Sequence, residues 1–209
     1  MILRQIQIGG FEIFCYLLGD QSTGEGIVID PGGPSGPILK AARDSGIQSL
    51  KYIVNTHSHV DHIAGNKEMN QVTKAPIAIH ELEADALAHP NLGMLAMFGA
   101  EPSPPASLLL KDGDAITFGD SSVKVMHTPG HTVGGICLLF PGYVITGDTL
   151  FVGGVGRTDL PGGSFQVLQN TIRNKLFALP DDTIVLPGHN YGDTPTSTIG
   201  REKRENAYI

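Results

Sequence analysis

Short apolar runs broken by glycine and proline, interleaved with one-sided helical patterns, extend along the whole chain. Residues 2–8 alternate apolar with polar, residues 13–18 are continuously apolar, and residues 27–29 lead into Asp30-Pro31-Gly32-Gly33. Alternation marks a strand with one wet face and an unbroken run marks one covered on both, so all three segments predict strands. A helical pattern at 37–45 stops at Gly46, a strand follows at 52–55, and a helix begins near Asp61. A strand at 77–79 leads into a helical 81–88. From 89 to 107 the pattern breaks: Met94, Leu95, Met97 and Phe98 precede a proline-rich 102–105. This predicts a packed excursion over the core, with a lid or a subunit contact as the sharper alternative. Strands resume at 115–118, 122–127, 135–140 and 143–146. Ser164 opens a helix whose Phe165, Leu168, Ile172, Leu176 and Leu179 recur every three or four residues, a stripe suited to packing on a sheet. Pro180 ends it, and a last strand at 183–186 and a polar helix after Pro195 complete the pattern. Strands in both halves with helices between them predict two sheets covered by helices on their outer faces.

Composition narrows the class. The 209 residues, 41% of them hydrophobic and 27 of them glycine, describe a globular chain with many sharp turns. A chain of this size buries roughly 70% of its unfolded surface, so a sizeable core needs no staples. Cys15 and Cys137 lie in apolar runs and read as small buried hydrophobes, not as a disulfide framework. Lys and Arg number 14 against 21 Asp and Glu, a net charge of −7, which leaves no basic surface for nucleic acid or an anionic membrane. No apolar stretch approaches the roughly 20 residues that span a bilayer. The N-terminus carries no basic region followed by a long apolar segment, so a cytoplasmic location without nucleic-acid or membrane partners is expected. The oligomeric state is left open. The 8 histidines ask for an explanation.

Three of them stand in one short segment. Thr56-His57-Ser58-His59-Val60-Asp61-His62 follows the predicted strand at 52–55 and opens a helix. Side chains two apart on an extended strand end point the same way, so His57 and His59 can reach one ion. Asp61 and His62, adjacent at the helix start, point elsewhere and can hold a second. Further ligands occur at one kind of place, a glycine or proline turn just past an apolar run: His131 in 128–132, Asp148 in 146–149 and His189 in 187–190. Loops at strand ends converge while the sheet fixes their positions. Asp148, with two carboxylate oxygens, is the candidate to bridge two ions. His80 and His127, at strand ends, read as hydrogen-bonded structural residues, and His89 reads as a surface residue.

On these motifs the chain resembles the metallo-β-lactamase superfamily, in which Asp30 within 28–32, the 57–62 cluster, His131, Asp148 and His189 occur in this order. The resemblance implies an α/β fold, a four-layer αβ/βα sandwich of two mixed sheets with helices on the outer faces and metals in a groove at one edge. It implies that His57, His59 and His131 hold one metal, that Asp61, His62 and His189 hold the other, and that Asp148 bridges them. Asp30 is then expected to brace the histidine loop from behind. The cofactors expected are two divalent metal ions, zinc before iron or manganese.

Many β-lactamases of the superfamily carry Arg after the aspartate of the first motif and Cys near the position of Asp148, where this chain has His62 and Asp148. Gly147-Asp148-Thr149-Leu150-Phe151, the Gly154-Val155-Gly156-Arg157 turn and Pro187-Gly188-His189-Asn190-Tyr191 are instead similar to glyoxalase II (hydroxyacylglutathione hydrolase). There the basic residue at Arg157 and the tyrosine at Tyr191 contact glutathione. Where that family has a tyrosine two positions after the basic residue, this chain has Asp159. It looks like the short bacterial members, a single domain over residues 1–209 without a separate C-terminal glutathione-binding domain. Arg201, Lys203 and Arg204 are expected on a solvated polar helix. The resemblance implies hydrolysis of small-molecule thioesters, S-(2-hydroxyacyl)glutathione compounds such as S-lactoylglutathione, with Asp61 as the catalytic proton acceptor. The alternative is the persulfide dioxygenase branch, which has a similar Gly-Arg-Thr-Asp turn and would bind one iron through His57, His131 and Asp148. A non-enzymatic metal-binding protein on the same scaffold is the third reading.

Overall fold

The computed structural model describes residues 1–209, and its chain builds two six-stranded sheets in succession. The first holds β1 (Ile2–Ile8), β2 (Ile13–Gly19), β3 (Glu25–Ile29), β4 (Ser49–Val54), β5 (Ile77–His80) and β6 (Leu108–Leu110), side by side in sequence order. Strands β1 to β3 pair antiparallel, and β3 to β6 run parallel. The second sheet begins with β7 (Ala115–Phe118), β8 (Ser121–His127), β9 (Ile136–Phe140) and β10 (Tyr143–Gly147). A hairpin of β11 (Leu150–Phe151) and β12 (Gly154–Val155) then leaves it, before β13 (Ile184–Pro187) and β14 (Ser197–Thr198) complete the order β14-β13-β10-β9-β8-β7.

Parallel neighbours need long crossovers, and helices supply them. α1 (Ser35–Asp44) links β3 to β4, while α2 (Val60–Ile63) and α3 (Asn66–Thr73) link β4 to β5. α4 (Ala84–Ala88) and α5 (Leu92–Met97) lie between β5 and β6. α6 (Phe165–Thr171), prolonged by a π-helical turn at Ile172–Leu176, spans the gap to β13, and α7 (Ile199–Glu205) follows β14.

The unbroken apolar run of β2 explains the layering, because both of its faces are covered. Phe14, Tyr16 and Leu18 meet Ile116, Phe118, Val125, Leu138 and Ile145 of the second sheet. Ile13, Cys15 and Leu17 face outward onto Ile38, Ile63, Met69 and Leu87 of the helical side. On the far side Leu168, Ile172, Leu176 and Ile199 cover Cys137, Val144 and Val185. The layers are helix, sheet, sheet, helix: the four-layer αβ/βα sandwich. Both cysteines are buried and unpaired, and no helix is long and apolar enough to cross a membrane.

Several elements depart from the sequence pattern. The stripe of the long helix is shorter than its periodicity, for Phe165 remains 43% exposed while Leu168, Ile172 and Leu176 are fully buried. Ser164 does cap the helix, its hydroxyl accepting from Val167 N. The helix near Asp61 is broken in two at Gly65, whose amide donates to Pro31 O at 2.8 Å. β6, β11, β12 and β14 escape the pattern because two or three residues cannot display a period. The excursion at 89–107 contains α5, in which Leu95 is buried and Met97 is 78% exposed.

Leu168→Ala is expected to lower the unfolding free energy by about 2–5 kcal/mol, since the cavity it leaves lies between helix and sheet. Phe165→Ala should stay within about 0.5 kcal/mol. Urea unfolding of the two variants checks the assignment of the buried face.

Candidate metal centre

The sequence-predicted ligands sit at the C-terminal ends of strands that share one edge of the sandwich. β4 delivers His57 and His59, after which α2 carries Asp61 and His62. His59 is the extended residue at the start of α2, with φ −63° and ψ 145°. β8, β10 and β13 run in one direction, and the loops beyond them carry His131, Asp148 and His189. The β1–β2 turn reaches the same edge, since β2 begins where the antiparallel β3 ends.

Two clusters result. His57 Nε2, His59 Nδ1 and His131 Nε2 form a triangle with sides of 3.0, 2.9 and 3.2 Å. His62 Nε2 and His189 Nε2 lie 3.3 Å apart, and Asp61 Oδ2 is 3.4 Å from His189 Nε2. Asp148 stands between the clusters: Oδ1 is 3.2 Å from His62 Nε2, and Oδ2 is 3.4 Å from His189 Nε2 and 3.6 Å from His131 Nε2.

The hydrogen bonds on the outer side of four of the five rings decide what the Nε2–Nε2 approaches are. His131 Nδ1 lies 2.7 Å from Arg157 O, and His189 Nδ1 lies 2.7 Å from Phe11 O. A carbonyl only accepts, so both Nδ1 atoms carry the proton. His62 Nδ1 donates likewise to Asp30 Oδ2 at 3.0 Å. Thr56 Oγ1 donates to Asp30 Oδ2, which leaves it to accept from His57 Nδ1 at 3.1 Å. In the neutral rings all four Nε2 atoms therefore present bare lone pairs, and the Nε2–Nε2 approaches cannot be hydrogen bonds. Asp148 Oδ1 adds a buried carboxylate oxygen that a neutral His62, its Nε2 3.2 Å away, has no proton to satisfy. Converging lone pairs and an orphaned anionic oxygen fit divalent cations, and the histidine and carboxylate donors are of the kind such cations take.

Charge within the centre follows the same division. Burial, then the neighbouring histidines, hold His57 well below its ordinary value, and the same causes push His59 down to about 4. Burial opposes charge on His62 and His189 too, but there the carboxylates outweigh it. Asp148, Asp30 and Asp61 raise His62, and Asp148 and Asp61 raise His189 to about 9. Asp148 and Asp61 are held below the usual carboxylate range against their own burial, chiefly by His62. Without a cation, then, protons settle on His62 and His189 in its place.

Asp30 anchors this arrangement. It is buried and holds a left-handed backbone, φ 49°. Its Oδ1 accepts from Thr56 N at 2.7 Å, while Oδ2 serves Thr56 Oγ1 and His62. The backbone also passes close to the ligands: a Cβ at Gly188 would lie 2.3 Å from Asp148 Oδ1.

The centre opens into a cavity of about 830 Å³ whose walls include Phe11, Leu82, Met94, Phe98, Arg157 and Tyr191. Tyr191 stacks on His189 at 4.5 Å. Arg157 is bound bidentately by Asp159, at 2.8 and 2.7 Å. Of the other histidines, His80 and His127 stack on each other at 4.3 Å away from the ligands, and His89 is exposed. Arg201 pairs with Asp193 and Glu205, and Lys203 with Asp181. The basic residues of α7 do not line the cavity. Sequence reasoning passed over two participants, the Phe11 carbonyl and Glu83. A backbone oxygen has no residue-type signature, and Glu83, between Glu81 and Asp85, reads as one more acidic residue of the predicted helical segment 81–88.

A family model described as the metallo-beta-lactamase superfamily matches residues 8–189. The hydroxyacylglutathione hydrolase GloC of Haemophilus influenzae is 31% identical, over 100% of this chain and 98% of its own length. The mitochondrial persulfide dioxygenase ETHE1 of Homo sapiens is 31% identical, over 99% of this chain and 75% of its own. The crystal structure of TTHA1623 in a di-iron-bound form has a TM-score of 0.85 at 30% identity, covering 99% of this chain and 100% of the other.

Two outcomes are expected. Because His189 holds its proton up to about pH 9 in the metal-free chain and His62 is raised as well, zinc uptake at pH 7 should release protons, and affinity should rise with pH until both rings are neutral. Calorimetry in buffers of different ionisation enthalpy measures the release. Asp30→Asn, which removes the charge behind Thr56 and His62 but keeps the shape, should weaken metal binding about 10- to 100-fold, read by competition with a chromogenic chelator.

Proposed function

The chain belongs to the metallo-beta-lactamase superfamily, and from that premise we propose that it is a binuclear metal-dependent hydrolase of small-molecule thioesters. S-(2-Hydroxyacyl)glutathione compounds such as S-lactoylglutathione are the substrate class. The observation that carries this reading is the pair of donor clusters around one carboxylate, each with its own histidines. His57, His59 and His131 would hold one divalent ion, and Asp61, His62 and His189 the other. Asp148 would lie between them. Zinc suits this donor set first, with iron or manganese as alternatives. When bound, such a pair lowers the pKa of a shared water toward about 7 and polarises a carbonyl oxygen.

The chain's own residues do the rest. Asp61, the most exposed carboxylate of the centre at 22% and held below the usual range, is ionised at neutral pH and accepts a proton from the attacking water. A thiolate leaves readily, since a free thiol has a pKa of about 8.5, so the reaction does not call for a separate acid. Tyr191, whose phenol is pushed up to about 12 by burial and the nearby carboxylates, remains protonated and offers the substrate a donor. Arg157 offers a cation to a substrate carboxylate, which must compete with Asp159 for it. The hydrolase GloC, matched along almost its whole length, supports the same class.

One observation favours a second reading. The Arg157–Asp159 pair occupies the Gly-Arg-Thr-Asp turn that resembles the persulfide dioxygenase branch, and ETHE1 is as similar in sequence as GloC. In that reading His57, His131 and Asp148 would hold a single iron.

Metal-replete protein is expected to hydrolyse S-lactoylglutathione, and Asp61→Asn to lower kcat by about 10²- to 10⁴-fold, the usual range for a lost proton acceptor. Steady-state assays check both. One iron per chain, with oxygen consumed on glutathione persulfide and no thioester turnover, would establish the dioxygenase instead.

A further inference from the structure

Glu83 is a buried carboxylate beside the centre that the proposed chemistry leaves unused. It ends the single 3₁₀ turn after β5, Glu81–Glu83, and is 2% exposed. A buried carboxylate needs partners for its lone pairs, and all of those found for Glu83 lie on two loops. Oε2 accepts from Ser58 N at 3.0 Å and from Ser58 Oγ at 2.5 Å, and Oε1 accepts from Gly134 N at 2.8 Å. Ser58 stands between His57 and His59. Gly134 belongs to the β8–β9 loop that carries His131. The fit is close enough that a Cβ at Gly134 would lie 2.7 Å from Glu83 Cγ.

One side chain of the first sheet thus ties a loop of that sheet to a loop of the second, at the point where His59 and His131 approach to 2.9 Å. Asp30 works from the opposite side: its bonds run to Thr56, behind His57, and to His62. Neither His59 nor His131 is among its partners. We infer that Glu83 is a positioning residue for the three-histidine cluster, setting the spacing of the His57–His59 loop against the His131 loop. The inference rests on the metal-centre reading above. It assigns Glu83 to one cluster, with the Asp61–His62–His189 cluster independent of it.

The test is Glu83→Gln in the full chain. An amide has one accepting oxygen, and its NH2 group must face either the Ser58 or the Gly134 amide, so one loop loses its acceptor whichever way the group turns. Metal-free protein is titrated with zinc by calorimetry and with cobalt by visible absorption, whose ligand-field bands report donor geometry. The wild type is expected to take up two ions. In Glu83→Gln one site should weaken by about 10- to 100-fold, as for other groups that orient ligands, with altered cobalt bands, while the other keeps its affinity. Ser58→Ala, which removes the hydroxyl bond but leaves both amide bonds, should weaken the same site by a smaller factor.

Equal affinities in wild type and Glu83→Gln overturn the inference. So does an equal weakening of both sites, the signature of a general loss of stability. If Glu83→Gln does not fold, Ser58→Ala decides: unchanged zinc binding would make Glu83 a core residue and nothing more. A wild type that takes up no metal overturns the metal reading itself, and the inference with it.

Discussion

Five imidazoles and two carboxylates are brought to within a few ångströms of one another at a buried edge, and the rest of the structure is arranged to hold them there. Groups of this kind repel or pull protons from solvent unless a cation lies among them. The pressure is visible in opposite directions within the centre, with His57 and His59 driven down and His62 and His189 driven up. Such an arrangement persists only where the surroundings over-determine it. Here each outer imidazole nitrogen that faces an acceptor meets a fixed one, either a main-chain carbonyl or a group anchored on Asp30.

The sandwich supplies that rigidity through strand direction. β4 in one sheet and β8, β10 and β13 in the other end at the same edge, so their loops converge without long excursions. The strands themselves are locked by three apolar clusters. The left-handed backbone of Asp30 and the close passage of Gly188 by Asp148 are local costs of the convergence, and the buried core offsets them.

Beyond the ligands the centre faces a cavity of about 830 Å³. Its walls are largely apolar, and the cation facing it, Arg157, is already engaged by Asp159. The three ligands of the dioxygenase reading, His57, His131 and Asp148, lie within the seven of the hydrolase reading, and the two readings differ in how many ions are held, so the metal content of the chain separates them where its fold does not.

Periodicity alone determined the layering, because an apolar run such as 13–18 has to be covered on both faces and the stripe of Leu168, Ile172 and Leu176 on one. Residue type and spacing singled out the candidate donors as well, since few other patterns place His57, His59, Asp61 and His62 so close along the chain. Residue type and spacing left open which donors meet: the resemblance grouped His62 with His189, and the tertiary structure brings them to 3.3 Å across 127 positions, an approach no local pattern encodes. The tertiary structure also decided the supports. The Phe11 carbonyl acts through its backbone, and Glu83 through the amides of Ser58 and Gly134, groups that every residue possesses. Hydrophobic period reports whether a side chain is buried and not what it touches, so these contacts exist only once the two sheets have closed.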